Sequence, residues 1–252
     1  MLYLIGLGIH DEKDISVKAI ETLKKVDSVY AELYTSFFNG DLSVIEGWAG
    51  KKINVLSRYD LEEDIDGNVL SNPQKDVALL VCGDPLIATT HADVILRAKK
   101  KGVEAKIIHS SSIYSAVAET GLQVYKFGKT TTLPFPQGDY FPTSPYDVIR
   151  ENHDLGLHSL VLLDVKSEEN RFMTVNEGLR LLLRMEDEKK KRLIAGDLFL
   201  VGIARLGGDS FIKAGALEEL LNQDFGRPPH SIVIPGELHF TERDMLDLFR
   251  LD

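Results

Sequence analysis

Residues 77–82 read Val-Ala-Leu-Leu-Val-Cys, an apolar run without a polar break that stops at Gly83-Asp84-Pro85. A strand wet on one face alternates apolar and polar residues. One covered on both faces does not, and such strands belong to parallel sheets flanked by helices. Residues 1–7 read the same way, with Leu2, Tyr3, Leu4, Ile5 and Leu7 running into Gly6 and Gly8. Between these runs, Ile15, Ala19, Leu23 and Val26 recur at helical spacing with Asp14 as the expected N-cap, and residues 28–33 form a further strand. Residues 60–73, DLEEDIDGNVLSNP, are acidic and turn-rich, which predicts a helix end or loop facing solvent. A helix is expected over 90–101, with Ala92, Ile95, Leu96 and Lys99 on successive turns and Gly102 as its stop, followed by a strand over 103–109. Strand, helix, strand in this order is the βαβ unit, so the first half is α/β with a mostly parallel sheet.

The pattern then changes. Residues 124–133, 158–165, 198–204 and 231–235 read as strands, with two clear helices among them. The first spans 175–192, with Leu179, Leu182, Leu183 and Met185 inward, and the second spans 216–225. Residues 134–145 carry four prolines and read as a long loop. Fewer helices per strand implies a mixed sheet. The expectation is two α/β domains, residues 1–111 and 112–252.

The 252 residues include 29 Lys and Arg against 39 Asp and Glu, a formal charge of −10. Phosphate binding needs clustered cations, so nucleic acid is not expected as a partner. Cys82 stands alone, which excludes an intrachain disulfide and any multi-cysteine zinc site and suits a reducing cytoplasm. No stretch approaches the roughly 18 apolar residues of a membrane span, and residues 1–8 lack the features of a signal peptide, so no membrane association is expected.

Several motifs can carry chemistry. Gly6-Leu7-Gly8-Ile9-His10-Asp11 sits where a dinucleotide fingerprint would, but Asp11 stands in place of its third glycine, which disfavours an NAD-type site and leaves a tight turn as the competing reading. Gly128-Lys129-Thr130 lacks the glycine five residues earlier that a phosphate loop needs, since residue 123 is Gln. Gly83-Asp84-Pro85 stands at the carboxyl end of a central strand, where ligands bind open α/β sheets. Asp84 there is either a ligand acceptor or the cap of the next helix. Ser110-Ser111-Ser112-Ile113 follows another strand end without a nucleophile elbow, and capping by Ser111 or Ser112 ahead of Ile113, Val117 and Leu122 is expected. His91, His109, His153, His158 and His239 lack metal-ligand spacing and read as surface or satisfied histidines, so no metal is expected. His230, after Pro228-Pro229 and directly before the last strand, is held where it can face a cleft.

In combination, GLG at 6–8, VCGDPLIATTH at 81–91, HSSSIYSA at 109–116, VGIARLGG at 201–208 and FGRPPHSIVIPG at 225–236 resemble the tetrapyrrole methylase class of S-adenosylmethionine-dependent methyltransferases. Within it the resemblance is closest to the diphthine-forming branch, and it spans essentially the whole chain. The departure at Ile9-His10-Asp11 agrees with that branch. The resemblance implies a cytoplasmic homodimer of two-domain α/β chains with S-adenosyl-L-methionine in the cleft between domains. By the same resemblance the donor lies against Ile9, Asp84, Ile87, Ser112 and Ile113 of the first domain and Leu163, Ala204, Leu206 and His230 of the second. The implied substrate is translation elongation factor 2 bearing a histidine extended with a 3-amino-3-carboxypropyl group. Archaeal members are expected to methylate its amine to a trimethylammonium, and eukaryotic relatives to methylate the carboxylate as well. No catalytic residue is assigned. The alternatives are a corrinoid or porphyrinoid precursor methylase of the same class and a non-catalytic nucleotide-binding module.

Overall fold

The computed structural model describes residues 1–251 and divides into two compact units, Met1–Ala116 and Val117–Asp252. The division falls five residues beyond the 111/112 boundary read from the sequence. The short helix Ile113–Ala116 continues directly from the turn at Ser112, whose carbonyl accepts from the Ala116 N–H at 2.9 Å, and so stays with the first unit.

The first unit runs β1 (Leu2–Gly6), α1 (Val17–Leu23), β2 (Ser28–Glu32), α2 (Leu42–Ala49), β3 (Ile53–Leu56), α3 (Arg58–Glu62), β4 (Val77–Val81), α4 (Ala92–Lys100), β5 (Ala105–Ile108) and α5 (Ile113–Ala116). Its sheet has the order β3-β2-β4-β1-β5 and is parallel throughout. The central strands face apolar layers on both sides. Leu2 and Leu4 of β1 join Leu79 and Val81 of β4 against Val94, Ala98, Ile65 and Leu70, while Ile5, Ala78 and Leu80 pack against Ala19, Leu23 and Ile45. Each fully buried aliphatic side chain of this kind contributes about 1.5 to 3 kcal/mol.

Several local expectations differ. Ser16 caps α1 by accepting from the Ala19 N–H at 3.1 Å, whereas the Asp14 carboxylate accepts from the His10 N–H at 2.7 Å and holds the glycine turn. The acidic segment after α3 is not purely a solvent loop, because Ile65, Val69 and Leu70 turn inward. In α4, which starts two residues later than expected, the buried face is Val94 and Ala98, and Leu96 is 57% exposed because two residues along a helix is about 200° of rotation, onto the opposite face. The short α2 and β3 escaped the sequence reading.

The second unit runs β6 (Thr131–Leu133), α6 (Ser144–Asp154), β7 (Ser159–Leu163), β8 (Val165–Lys166), β9 (Arg171–Phe172), α7 (Val175–Lys189), β10 (Phe199–Ala204), β11 (Phe211–Ala216), α8 (Leu217–Leu220), β12 (His230–Ile234) and α9 (Phe240–Asp247). Its main sheet, β11-β10-β12-β7-β6, is mixed: β6 and β7 are parallel and the other pairs antiparallel. Only Thr131–Leu133 of the expected 124–133 strand is strand, since Val124–Lys126 forms a 3-10 turn. The expected 216–225 helix shrinks to Leu217–Leu220, and α6 and α9 were not anticipated. In α7, Leu179, Leu182 and Met185 are buried as expected, while Leu183 is only partly so. Thr174 and Glu177 close its first turn as a capping box.

Candidate functional site

In the first unit the carboxyl ends of β1, β4 and β5 bring three loops together. Gly8 and Gly83 exchange backbone hydrogen bonds, Gly83 N–H to Gly8 O at 2.8 Å and Gly8 N–H to Gly83 O at 3.2 Å. That approach needs glycine. A Cβ on Gly6 would stand 2.5 Å from Gly83 O and 2.7 Å from Ser110 Cβ, and Gly8 and Gly83 have φ of +90° and +69°. Gly83 differs from Gly6 in its surroundings, because a Cβ there would meet nothing closer than Ser112 Cβ at 3.9 Å. A Cβ at Gly83 would thus sit in ordinary van der Waals contact with Ser112 and Ser111, and it is the positive φ, not a lack of room, that calls for glycine there.

Asp84 organises this edge. Its Oδ1 accepts from the Leu86 N–H at 3.0 Å, and its Oδ2 accepts from His109 Nδ1 at 2.7 Å and the Ser110 N–H at 3.2 Å. The buried carboxylate thus ties the loop after β4 to the end of β5; its bond to Leu86 closes the local turn, but it does not cap the next helix, since α4 begins only after His91 and has no side-chain capping bond. Ile87 follows in the same turn, its N–H donating to Asp84 O, and Ala88 has a φ of +55°. Ser112 is buried; its N–H donates to Ser115 Oγ and its carbonyl accepts from it, so its own hydroxyl takes part in neither bond. Ile9 follows Gly8, and Ile113 is partly buried. The structure thus brings Ile9, Asp84, Ile87, Ser112 and Ile113 to one edge of the parallel sheet.

The remaining four expected residues meet at one edge of the second sheet. Leu163 ends β7, Ala204 ends β10 and lies opposite His230, and β12 runs antiparallel to both neighbours. Leu206 follows in a turn in which Arg205 and Gly207 have φ of +55° and +83°. The Arg205 guanidinium holds that turn, donating from Nη1 to the carbonyls of Phe225 and Arg227, both at 2.7 Å, and from Nε to Asp209 at 3.0 Å. His230 is buried. Its Nδ1 accepts from the Val175 N–H at 3.2 Å, so Nε2 carries the proton and donates to Arg227 O at 3.0 Å. Burial pushes its pKa down, which keeps the ring neutral.

His158 meets the surface-or-satisfied expectation and His91 departs from it. His158 is satisfied but structural: Nδ1 accepts from the Gly236 N–H and Nε2 donates to Glu242. His91 is buried with its Nε2 3.5 Å from Glu32. Glu32 was not picked out from sequence, although a carboxylate ending an apolar strand is a readable anomaly. Gly128-Lys129 is a packing position, where the Gly128 N–H donates to His158 O and the Asn152 amide bonds both Lys129 N and O. Among the described residues no group of His, Cys, Asp and Glu is arranged to hold a metal, and no helix is long and apolar enough to cross a membrane.

Comparison with known proteins follows these features along the chain. The family model of the tetrapyrrole (corrin/porphyrin) methylases matches residues 1–198. Diphthine synthase of Methanocaldococcus jannaschii is 49% identical over 98% of this chain and 97% of its own length, and that of Methanococcus maripaludis strain C7 is 45% identical over the same shares. Among solved structures, an Entamoeba histolytica protein described as a candidate diphthine synthase superposes with a TM-score of 0.91 at 39% identity, covering 100% of this chain and 99% of its own. With three loops at the edge of a parallel sheet, two of them turning on glycine, a mixed second sheet and relatives matched end to end, this chain belongs to the tetrapyrrole methylase family.

Proposed function

We propose that this methyltransferase transfers methyl groups from S-adenosylmethionine to the amino group of the 3-amino-3-carboxypropyl-modified histidine of translation elongation factor 2. The observation that supports it most is the end-to-end similarity to proteins named diphthine synthase. The same reading makes the protein a cytoplasmic homodimer, because its substrate works in translation and the resemblance of its motifs is to a dimeric class.

The donor supplies a methyl already activated on a sulfonium. Ile9, Asp84, Ile87, Ser112 and Ile113 hold it from the first unit, and Leu163, Ala204, Leu206 and His230 from the second. The glycine turns at Gly8 and Gly83, where main chain approaches main chain, together with Ile9, Ile87 and Ile113 fit a nucleoside, whose recognition needs close main-chain approach and few charges. Asp84 acts mainly by shaping that loop, since three protein donors already occupy its carboxylate. Neutral His230 fixes the start of α7 and presents no cation to a cationic donor. The chain's task is alignment, which in oriented reactions supplies roughly 7 to 11 kcal/mol of the barrier. An α-amino group has a pKa of about 8, so a neutral attacking fraction exists near pH 7 without a dedicated base.

The test is incubation of methyl-labelled S-adenosylmethionine with elongation factor 2 carrying the modified histidine, read by mass spectrometry. Label in the side-chain amine is expected. Label entering a corrinoid or porphyrinoid precursor and not the protein overturns the proposal. Label recovered as a hydrolysable ester would add the carboxylate as a second acceptor.

A further inference from the structure

Beneath the 83–88 loop lies a pair of titratable groups that the proposed chemistry does not use. Glu32, the last residue of β2, is fully buried, and His91, immediately before α4, is 2% exposed. His91 Nδ1 lies 3.2 Å from Pro85 O, and Nε2 lies 3.5 Å from Glu32 Oε1. Among the described residues Nε2 is the one buried side-chain polar atom without a hydrogen-bond partner. Both atoms facing the ring are acceptors: a peptide carbonyl on one side and a carboxylate on the other. A neutral imidazole has one N–H and can serve only one of them. To satisfy both, the pair needs a second proton, placed on the imidazole or on the carboxyl group. Glu32 also accepts from Thr35, at Oε1 from the hydroxyl at 2.6 Å and at Oε2 from the N–H at 3.3 Å.

The proton matters because of what Pro85 O holds. It accepts from Thr89 Oγ1 at 2.8 Å as well as from His91, and these bonds close the turn that contains Asp84, Ile87 and the left-handed Ala88. We propose that Glu32 and His91 are positioning residues that hold one shared buried proton, and that this proton keeps the imidazole donating to Pro85 O and so keeps the donor-binding loop in its closed turn. The inference rests on the assignment of that loop to the methyl donor. Burial pushes Glu32 up and His91 down, which favours the state with a neutral carboxyl group donating to Nε2. On loss of the proton, the ring's single N–H turns toward the Glu32 anion and a lone pair faces Pro85 O.

The other groups around the pair are Cys82, Tyr34, Arg58 and Glu62. Burial and then the Glu32 charge push the Cys82 thiol and the Tyr34 phenol up, so both stay protonated over the range of interest. Arg58 sits over the Tyr34 ring at 5.2 Å and favours the Glu32 anion, while Glu62 bears on Tyr34, which it raises further. On the far side of the loop, Asp84 and His109 form their own contact.

The experiment compares the wild-type protein with Glu32→Gln and Glu32→Ala. The glutamine amide can donate to Nε2 at every pH, whereas alanine removes the partner. Binding of S-adenosylhomocysteine is measured by calorimetry from pH 6 to 9.5, with thermal melting as the check on folding. Wild-type affinity should fall at least five-fold toward the alkaline end. Glu32→Gln should bind within about three-fold of wild type at pH 7 and lose the alkaline fall, and Glu32→Ala should bind at least ten-fold more weakly while folded. His109 is common to all three proteins and drops out of the comparison. Parallel pH curves for wild type and Glu32→Gln overturn the inference, as does undiminished binding by Glu32→Ala. If none of the three binds, the donor assignment fails, and amide-exchange protection of Leu86, Ile87 and Ala88 decides the pair's role. That protection should drop in Glu32→Ala and hold in Glu32→Gln, and equal protection in all three overturns it. Should Glu32→Ala fail to fold, the comparison of Glu32→Gln with wild type carries the same decision.

Discussion

The two sheet edges that carry the proposed donor contacts are built on opposite principles. In the first unit every strand is parallel, so one edge collects the segments that leave the carboxyl ends of β1, β4 and β5, and each candidate residue lies within a few positions of its own strand. In the second unit the edge is shared by strand ends and strand starts: Ala204 ends β10 and His230 begins β12, and they meet because the two strands run in opposite directions. A parallel edge is assembled from loops, and its shape depends on glycine contacts and on Asp84. A mixed edge is assembled from register, and its shape depends on the ladder. The second unit therefore tolerates insult far from that edge, whereas in the first unit the edge and the core share their closest contacts.

The sharpest way to break this contrast is Glu242→Ala. Glu242 on α9 is buried and accepts from Lys126, His158 and the N–H groups of Gln123 and His239, at the end of the second sheet away from His230. Removing it leaves the buried His158 imidazole and two backbone N–H groups without that partner, and the half-buried Lys126 ammonium with only the Glu237 carbonyl, at a cost of about 3 to 5 kcal/mol. Urea melts followed by amide exchange should place the loss in the second unit, with donor affinity nearly unchanged in the folded protein. A comparable loss of affinity would mean that the second edge is not set by register.

Acid should reproduce part of that effect. Burial alone would raise Glu242, but the bonds from Lys126, Gln123, His239 and His158 outweigh it and hold its pKa at about 2, below the ordinary 4.5. A depressed carboxyl pKa gives stability that is present above pH 4.5 and lost as pH falls toward 2, here about 3 kcal/mol. Burial also lowers His158, whose stabilisation is lost in the same direction as it is forced to charge. Melting temperatures between pH 6 and 2.5 should therefore fall less steeply in Glu242→Gln than in the wild type.

Gly6→Ala tests the first edge. The added Cβ would press on Gly83 O and Ser110 Cβ together, and overpacking of this kind costs about 1 to 3 kcal/mol. Because the strain falls on the glycine contact itself, calorimetry should show weaker S-adenosylhomocysteine binding along with the lower melting temperature. Unchanged affinity would separate the edge from the core. The smallest effect belongs to Ser16→Ala, which removes the α1 cap for about 1 kcal/mol, with binding unaffected. A denaturant midpoint is sufficient to read it.

Much of this was legible along the chain because parallel strands write their burial into composition. VALLVC and LYLIGL are apolar without alternation because Ala78 and Leu80 face one layer and Leu79 and Val81 the other. The candidate residues of the first unit are equally local, each following its strand. The second unit was harder to read for a corresponding reason. Pro145 lies in the first turn of α6 and led to a loop reading, although proline is well placed at a helix start. The apolar residues of 124–133 were read as one strand, yet a 3-10 turn interrupts them, and the Asn152 amide fixes the backbone at Lys129 instead.

By itself, then, the sequence determined the α/β class, the change from a parallel to a mixed sheet, and the family, because these follow from unbroken apolar runs, glycine spacing and motif order. Tertiary structure alone decided the state of the polar groups. Asp84 is shared between a turn and the end of β5, His230 holds one neutral tautomer, and Glu32 and His91, far apart along the chain, face each other. Composition counts a carboxylate or an imidazole. Whether it meets a donor, an acceptor or a proton shared with another residue depends on which chain segments are folded against it.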